Sequence, residues 1–299
     1  MFLKIYFALL FSLYGIYFLK KIRYNKTTKA IEKLSINILK EEEKEMSTIH
    51  RRRAIMDILT NHQDVSIAEL MEEFSVSSVT IRKDLAALEK KGLLTRSRGG
   101  AHLENPSHVL PFAYRNEMHS KEKLAIAKAA LELIEDGDSI IFDSGTTIMA
   151  IAKQLSGFSN LTVITNSVPI ASMLSTNNNI STSLVGGILL SDHMCLVGPD
   201  AEIYLENIEA KKLFLGCSGT RNSIGITTSS PFEANIKRQM IKCAKKVIAV
   251  MDSTKFETTS VHLVAKFEQL DCIITDGRMR NREIMKTLES FNIDTIYAD

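Results

Sequence analysis

The alternation of apolar and polar positions divides the chain into stretches of different character. From Met46 to about residue 104 the apolar residues recur at helical spacing. Ile49, Ile55, Ile58 and Leu59, behind the basic run Arg51 to Arg53, predict an amphipathic helix of about three turns. Ser66 opens the run SIAE, in which Ser66 and Glu69 can satisfy each other's orphan amides, so a second short helix is expected to carry Leu70, Met71 and Phe74. Ser75-Val76-Ser77 makes a tight turn. Ser77 can then cap a third helix, SSVTIRKDLAALEKKG, which stops at Gly92, where a left-handed C-cap is easiest for glycine. Beyond it LLTRSRGGAHL alternates apolar with polar residues around Gly99-Gly100, the pattern of a β-hairpin.

Pro106 and Pro111 interrupt the pattern, and residues 105–119 are expected to be a linker. A helix is predicted from about Ser120 to Ile134. Strands and helices then alternate: SIIFD, a helix near Ile148 to Leu155, LTVIT, a helix at Ile170 to Leu174, STSLVGG, KLFLG, a helix at Glu233 to Ala244, KVIAVM, CIIT and DTIYA. Strands that are apolar along their whole length imply a parallel sheet covered by helices on both faces, with ligands bound beyond the carboxyl ends of the strands. The chain is thus read as an N-terminal helical unit, 46–104, followed by an α/β unit, 120–299.

The first 45 residues differ from both. Ile5 to Leu19 carries no charge, but as a helix it reaches only ~23 Å against a hydrocarbon layer of ~30 Å. Including Phe2 to Lys4 makes a span marginally feasible, with Lys20, Lys21, Arg23, Lys26 and Lys29 on its cytoplasmic side. The competing reading starts from KEEEKE, Lys40 to Glu45, whose codons are all purine and which precedes Met46 as a translated ribosome-binding site would. On that reading translation starts at Met46, residues 1–45 are excluded from the fold, and the protein is cytoplasmic. A membrane is a partner only if those residues are made.

Charge and cysteines narrow the chemistry. The formal net charge is +2, and it falls to −2 without the first 45 residues, so overall basicity says nothing about nucleic acid. Cys195, Cys217, Cys243 and Cys272 form no C-x-x-C pair, and the seven histidines show no H-E-x-x-H spacing. Reduced, buried thiols are expected, and no metal or cofactor is.

Candidate chemistry lies in two places. On the third helix Ile81, Leu85 and Leu88 face the core, leaving Ser78, Thr80, Arg82 and Lys83 in the first turns, the part of a recognition helix that meets bases and phosphates. The hairpin would carry Arg96 and Arg98 to the sugar-phosphate backbone. In the α/β unit the strand ends bear Asp143 to Thr147, Thr165-Asn166-Ser167, Gly186-Gly187, Gly216 to Gly219 and Asp252 to Lys255. Gly145, Thr146 and Thr147 suit a phosphate, Lys255 supplies a compensating charge, and Asp143, Asn166 and Glu233 can bind hydroxyls.

The run SVSSVTIRKDLAALEKKGLLTRSRGGAHL resembles the winged helix-turn-helix of the DeoR family of bacterial sugar-catabolism repressors, whose pattern is V-S-x-x-T-I-R-[RK]-D-L followed by a G-G-A wing. The resemblance implies Ser77, Ser78, Thr80, Arg82 and Lys83 as DNA contacts, with Asp84 bracing the helix. It extends through D-x-G-T-T, T-N-S, G-G and D-x-x-K-F, the landmarks of that family's effector domain. That domain is similar in fold to ribose-5-phosphate isomerase and commonly binds a phosphorylated sugar. It therefore implies an effector site of Asp143, Gly145, Thr146, Thr147, Thr165, Asn166, Gly186, Gly187, Gly219, Glu233, Asp252 and Lys255. Where the isomerase carries an acidic G-A-D-E turn, this chain reads GCSG at Gly216 to Gly219. The expected protein is thus an operator-binding homo-oligomeric repressor released by a sugar phosphate, and not an enzyme. The alternatives are an isomerase-like enzyme with an accessory helical domain, and a membrane-tethered regulator.

Overall fold

The computed structural model describes residues 48, 50–52, 54–56, 58–59, 62, 64–103, 111–221, 224–280 and 282–299. Residues 1–45, on which the anchor and start-site expectations rest, lie outside them, as do Ile49 and residues 105–110. The described residues fall into two compact units, the first ending at Glu104 and the second beginning at Asn105. Among them no helix is long and apolar enough to cross a membrane.

In the first unit the described residues from 48 to 62 are helical, and Ile55, Met56 and Leu59 are fully buried. Strand β1 (Asp64–Ser66) leads into helix α1 (Ile67–Phe74), whose start is the expected box: Ser66 Oγ accepts from Glu69 N, and Ser66 N donates to Glu69 Oε2. Ser75, in the left-handed conformation with φ 50°, turns the chain into α2 (Ser78–Lys90). Ser77 caps α2, and Gly92 leaves it at φ +68°. The wing is β2 (Thr95–Arg96) antiparallel to β3 (Gly100–His102), and β1 adds a third strand against β3. That third strand was not expected from the sequence. It requires the glycine at 100, where a Cβ would lie 2.0 Å from Val65 O.

The second unit opens with α3 (Phe112–Glu117), so the tail of the expected linker is helical. Helices α4 (Ser120–Leu131), α5 (Thr146–Ala152) and α6 (Val168–Leu174) alternate with β4 (Ser139–Phe142), β5 (Leu161–Thr165) and β6 (Ile180–Leu184). A hairpin of β7 (Ile188–Leu190) and β8 (Cys195–Val197) and helix α7 (Pro199–Glu206) follow, none of which was read from the pattern. Next come β9 (Ala210–Leu215), the short strands β10 (Gly219–Arg221) and β11 (Gly225–Thr228), α8 (Pro231–Lys242) and β12 (Ala244–Val250). The unit closes with β13 (His262–Lys266), β14 (Cys272–Asp276), α9 (Glu283–Ser290) and β15 (Asp294–Ala298).

The main sheet has seven strands in the order β15-β14-β12-β9-β4-β5-β6, all parallel. Alternate residues feed two cores. Ile140, Phe142, Val163, Phe214 and Ile248 face α4, α5 and α6, while Ile141, Ile164, Leu213, Leu215 and Val247 face α7, α8 and α9. Both faces are covered, which is why the strands read as continuous apolar runs. The chain leaves β4 toward β5 and β6, then returns to place β9 on β4's other side. The switch point of the sheet is therefore the gap between the ends of β4 and β9.

Candidate functional site

In the first unit α2 presents a polar face. Ile81, Leu85 and Leu88 are buried, whereas Arg82 and Lys83 are exposed and Ser78 and Thr80 half-buried. Ser77 Oγ accepts from Thr80 N and pairs with Thr80 Oγ1 at 3.1 Å, so these two hydroxyls hold the helix start as well as lying on its outer side. Asp84 braces the helix: its carboxylate accepts from Arg51 Nε at 2.6 Å and from Arg52 Nε at 2.7 Å. On the wing the two expected arginines differ. Arg96 donates through its backbone N–H and its Nε to the two carboxylate oxygens of Glu89 on α2, at 3.0 and 2.6 Å. Arg98 is exposed in the turn that Ser97 N closes on Gly100 O.

In the second unit the strand ends converge at the switch point. Phe142 and Phe214 pair in register and meet edge to face at 5.5 Å beneath it. Immediately beyond, Asp143 N donates to Phe214 O and Gly216 N donates to Asp143 Oδ2, which stitches the β4 and β9 ends together. The same Oδ2 receives Lys237 Nζ from α8, and Lys237 also donates to Gly216 O at 3.2 Å. Both partners are buried. Burial alone would pull the Lys237 ammonium toward neutrality, but the Asp143 and Glu233 carboxylates hold its pKa above the usual lysine value.

One oxygen of that carboxylate is left over. Asp143 Oδ1 is buried with no hydrogen-bond partner among the described residues, and so is Asn166 Oδ1 at the end of the neighbouring strand. The Asn166 amide is oriented by its Nδ2, which donates to Leu196 O at 3.2 Å, so its free atom is an acceptor. Above them Gly145 has φ +127°, and a Cβ built there would touch nothing within 4 Å. Thr146 is buried at the start of α5, and Lys255 is half-buried on the turn after β12.

The remaining expected residues make local contacts within the fold. Thr165 Oγ1 accepts from Ser167 N. Asp252 Oδ1 accepts from Thr254 N and Thr254 Oγ1, shaping the turn that carries Lys255. Gly186 has open space over it. Gly187 and Gly219 instead permit close backbone approach, since a Cβ would meet Val197 O at 2.5 Å and Thr258 O at 2.3 Å respectively. Glu233, expected to bind hydroxyls, has both oxygens occupied: Oε1 by His193 Nδ1 at 2.9 Å and Oε2 by Thr228 Oγ1 at 2.8 Å. Burial opposes its charge, yet the His193 bond and Lys237 bring its pKa down to about 2.

Several site residues escaped the sequence reading. Lys237 and Lys123 occupy the buried stripes of α8 and α4, and a lysine inside an apolar stripe was the available signal. Lys123 donates to the carbonyls of Arg115 and Met118. Burial lowers its pKa to about 8, with Asp252 acting in the opposite sense and Lys255 and Arg115 in the same one. His193 and Arg115 had no local signal. Arg115 donates to Asp192 O at 3.1 Å and His193 bonds Glu233, so the tip of the β7–β8 hairpin is held from α3 and from α8. The hairpin is also fastened to the end of β5, with Leu196 N donating to Asn166 O. In the turn 216–219 Cys217 is the one titratable group. Burial raises its thiol to about 12, which leaves no base there at neutral pH. Among the described residues no His, Cys, Asp and Glu side chains are grouped to hold a metal ion.

Comparison with known proteins accords with both halves. Residues 51–107 match the DeoR-like helix-turn-helix domain, and residues 118–277 match the DeoR C terminal sensor domain. The chain is 33% identical to the HTH-type transcriptional regulator GolR of Listeria innocua, over 85% of this chain and 100% of that protein. It is 35% identical to the lactose phosphotransferase system repressor of Lactococcus lactis subsp. lactis, over 78% of this chain and 93% of that one. Among solved structures it is similar to ribose 5-phosphate isomerase A from Methanocaldococcus jannaschii, at 16% identity and a TM-score of 0.33, over 46% of this chain and 54% of that chain. The two domain matches, which together span most of the chain, and relatives covered over nearly their whole length show that the chain belongs to the DeoR family of helix-turn-helix transcriptional regulators.

Proposed function

We propose that this regulator represses a sugar-catabolism operon and leaves its operator when a phosphorylated sugar binds at the β4–β9 switch point. The observation that carries the reading is the pair of buried acceptors, Asp143 Oδ1 and Asn166 Oδ1, without partners among the described residues. Buried polar atoms are rarely left so, and sugar hydroxyls are the donors that would satisfy them. Phosphate fits the other side of the site, where Gly145 leaves the backbone open beside Thr146 and Thr147, and Lys255 and Lys123 bring positive charge. A ligand releases DNA only if it binds the DNA-free conformation more tightly, so its contacts must be separable from DNA binding. Asn166→Leu is expected to leave operator affinity unchanged and to raise the midpoint of sugar-phosphate-induced release at least about tenfold, as the loss of one well-made polar contact plus an unpaired ligand hydroxyl implies. Titrating a panel of sugar phosphates and their unphosphorylated parents against operator-bound protein checks this. Release by the parent sugars alone, or an unshifted midpoint in the variant, would sink it.

On DNA, we assign base reading to Arg82 and Lys83, phosphate contact on the wing to Arg98, and a positioning role to Arg96. Glu89 already neutralises Arg96, so its charge displaces few counterions. Arg98→Ala is expected to reduce the slope of log affinity against log salt by about 0.9, whereas Arg96→Ala leaves it nearly unchanged. Equal slopes for the two variants would contradict the assignment. A homodimer or higher oligomer follows from the shortness of one recognition helix, which reads few base pairs unless half-sites are paired.

A further inference from the structure

Val79 lies on the first turn of α2, and nothing local accounts for it. The buried residues of that helix are Ile81, Asp84, Leu85 and Leu88. At about 100° per residue Val79 falls on the side directly opposite them, between the directions of Arg82 and Lys83. The residue is 60% exposed, while Ser78 and Thr80 to either side in sequence are half-buried. A β-branched residue at an exposed helix start loses rotamer freedom, contributes no capping oxygen and adds nothing to the core. Most exposed valines mean little singly, but this one occupies the centre of the face that carries the DNA-reading cations.

The chemistry of the major groove supplies a partner. Base edges there present donors, acceptors and one apolar group, the 5-methyl of thymine. The N-terminal residues of a recognition helix are the ones that reach base edges, and Arg82 and Lys83 beside Val79 are complementary to the groove's anionic walls. We propose that Val79 is a specificity-determining residue that packs against the 5-methyl group of a thymine in the operator. The inference rests on α2 being the recognition helix. Ser78 and Thr80, which the sequence reading placed on the contact face, then flank the contact and Val79 stands at its centre.

The test is a cycle between protein and DNA. A preferred duplex is first selected from a random pool with the full-length wild-type chain, and each thymine in it is replaced in turn by uracil, which removes only the methyl group. At one thymine per half-site, uracil is expected to weaken wild-type binding about fourfold, the factor that one buried methylene-sized group gives. For Val79→Ala the same replacement should cost less than about half that factor. Selection repeated with Val79→Gln should exchange that thymine for adenine, whose N6 and N7 a glutamine can grip. Arg82→Ala, measured alongside, tests α2 itself: unaltered affinity and selection there would fault the recognition helix and with it the inference. If Arg82→Ala responds but uracil costs the two Val79 proteins equally at every position, α2 reads DNA and Val79 does not, and the proposal is overturned. It is equally overturned if Val79→Ala lowers binding to all duplexes uniformly together with the oligomeric mass, which would place the valine against a second copy of the chain.

Discussion

Replacing Lys237 by methionine is expected to destabilise the sensor unit by about 3–5 kcal/mol, because it leaves the Asp143 carboxylate buried without its cation. Asp143 is 0% exposed and Lys237 3% exposed, and the ammonium also satisfies Gly216 O. Water cannot take over these contacts without opening the joint between β4 and β9. The loss should shrink as the pH falls. Burial raises the folded-state pKa of Asp143 even with Lys237 beside it, and removing that opposing cation raises it further, so folding of the variant takes up a proton and acid favours its folded form. Asp143→Leu combined with Lys237→Met should recover most of the stability, since two apolar side chains demand no desolvated charge, yet the double variant should be blind to the effector. Urea unfolding followed by circular dichroism measures all three proteins. A loss below about 1 kcal/mol in Lys237→Met, the range of a solvated pair, would show that the joint does not depend on this ion pair.

The second large effect is expected in the reading head. Asp84 is 1% exposed and takes one bond from each of Arg51 and Arg52, tying the leading helical residues to α2. Asp84→Ala removes the shared anion and leaves two arginines facing one another, at a cost of about 2–4 kcal/mol; the partial exposure of Arg52 keeps it below that of a wholly enclosed pair. Read by hydrogen exchange in the full-length chain, protection of α1 and α2 should fall about a hundredfold, with the sensor sheet unaffected. DNA affinity should fall with it, since Arg82 and Lys83 are presented by the same helix. Unchanged protection of α2 would assign Asp84 to the surface electrostatics of the unit and not to its brace.

Helix α2 was legible in the sequence because its information is local. Ser66 and Ser77 cap within three residues of themselves, and Ile81, Leu85 and Leu88 mark one face by spacing alone. The seven parallel strands were largely legible for a similar reason, since strands covered on both faces are apolar throughout. The strand-end loops with Asp143, Thr146, Asn166 and Lys255 could likewise be placed, because a strand's direction decides which of its ends is the carboxyl one. Pairing over long separations could not be read. Strand β1 is three residues long and exists because Gly100 lets the backbone of Val65 approach. Nothing in the composition of AKKLFL said that β9 would return to lie beside β4 and make their gap the switch point. That order is settled by which apolar faces pack together. Lys237 meets Asp143 across 94 residues of chain, and the Glu233 carboxylate is held by His193 from a hairpin the alternation of strands and helices did not announce. The sequence by itself therefore determined which residue types stand at the sheet edge and which face of α2 stays out of the core. Tertiary structure alone decided which of those residues are already engaged in holding the fold, as Glu233 and Arg96 are, and which atoms, like Asp143 Oδ1 and Asn166 Oδ1, are buried without a hydrogen-bond partner among the described residues. A side chain's type is a local property, but whether its partners are satisfied depends on everything folded around it.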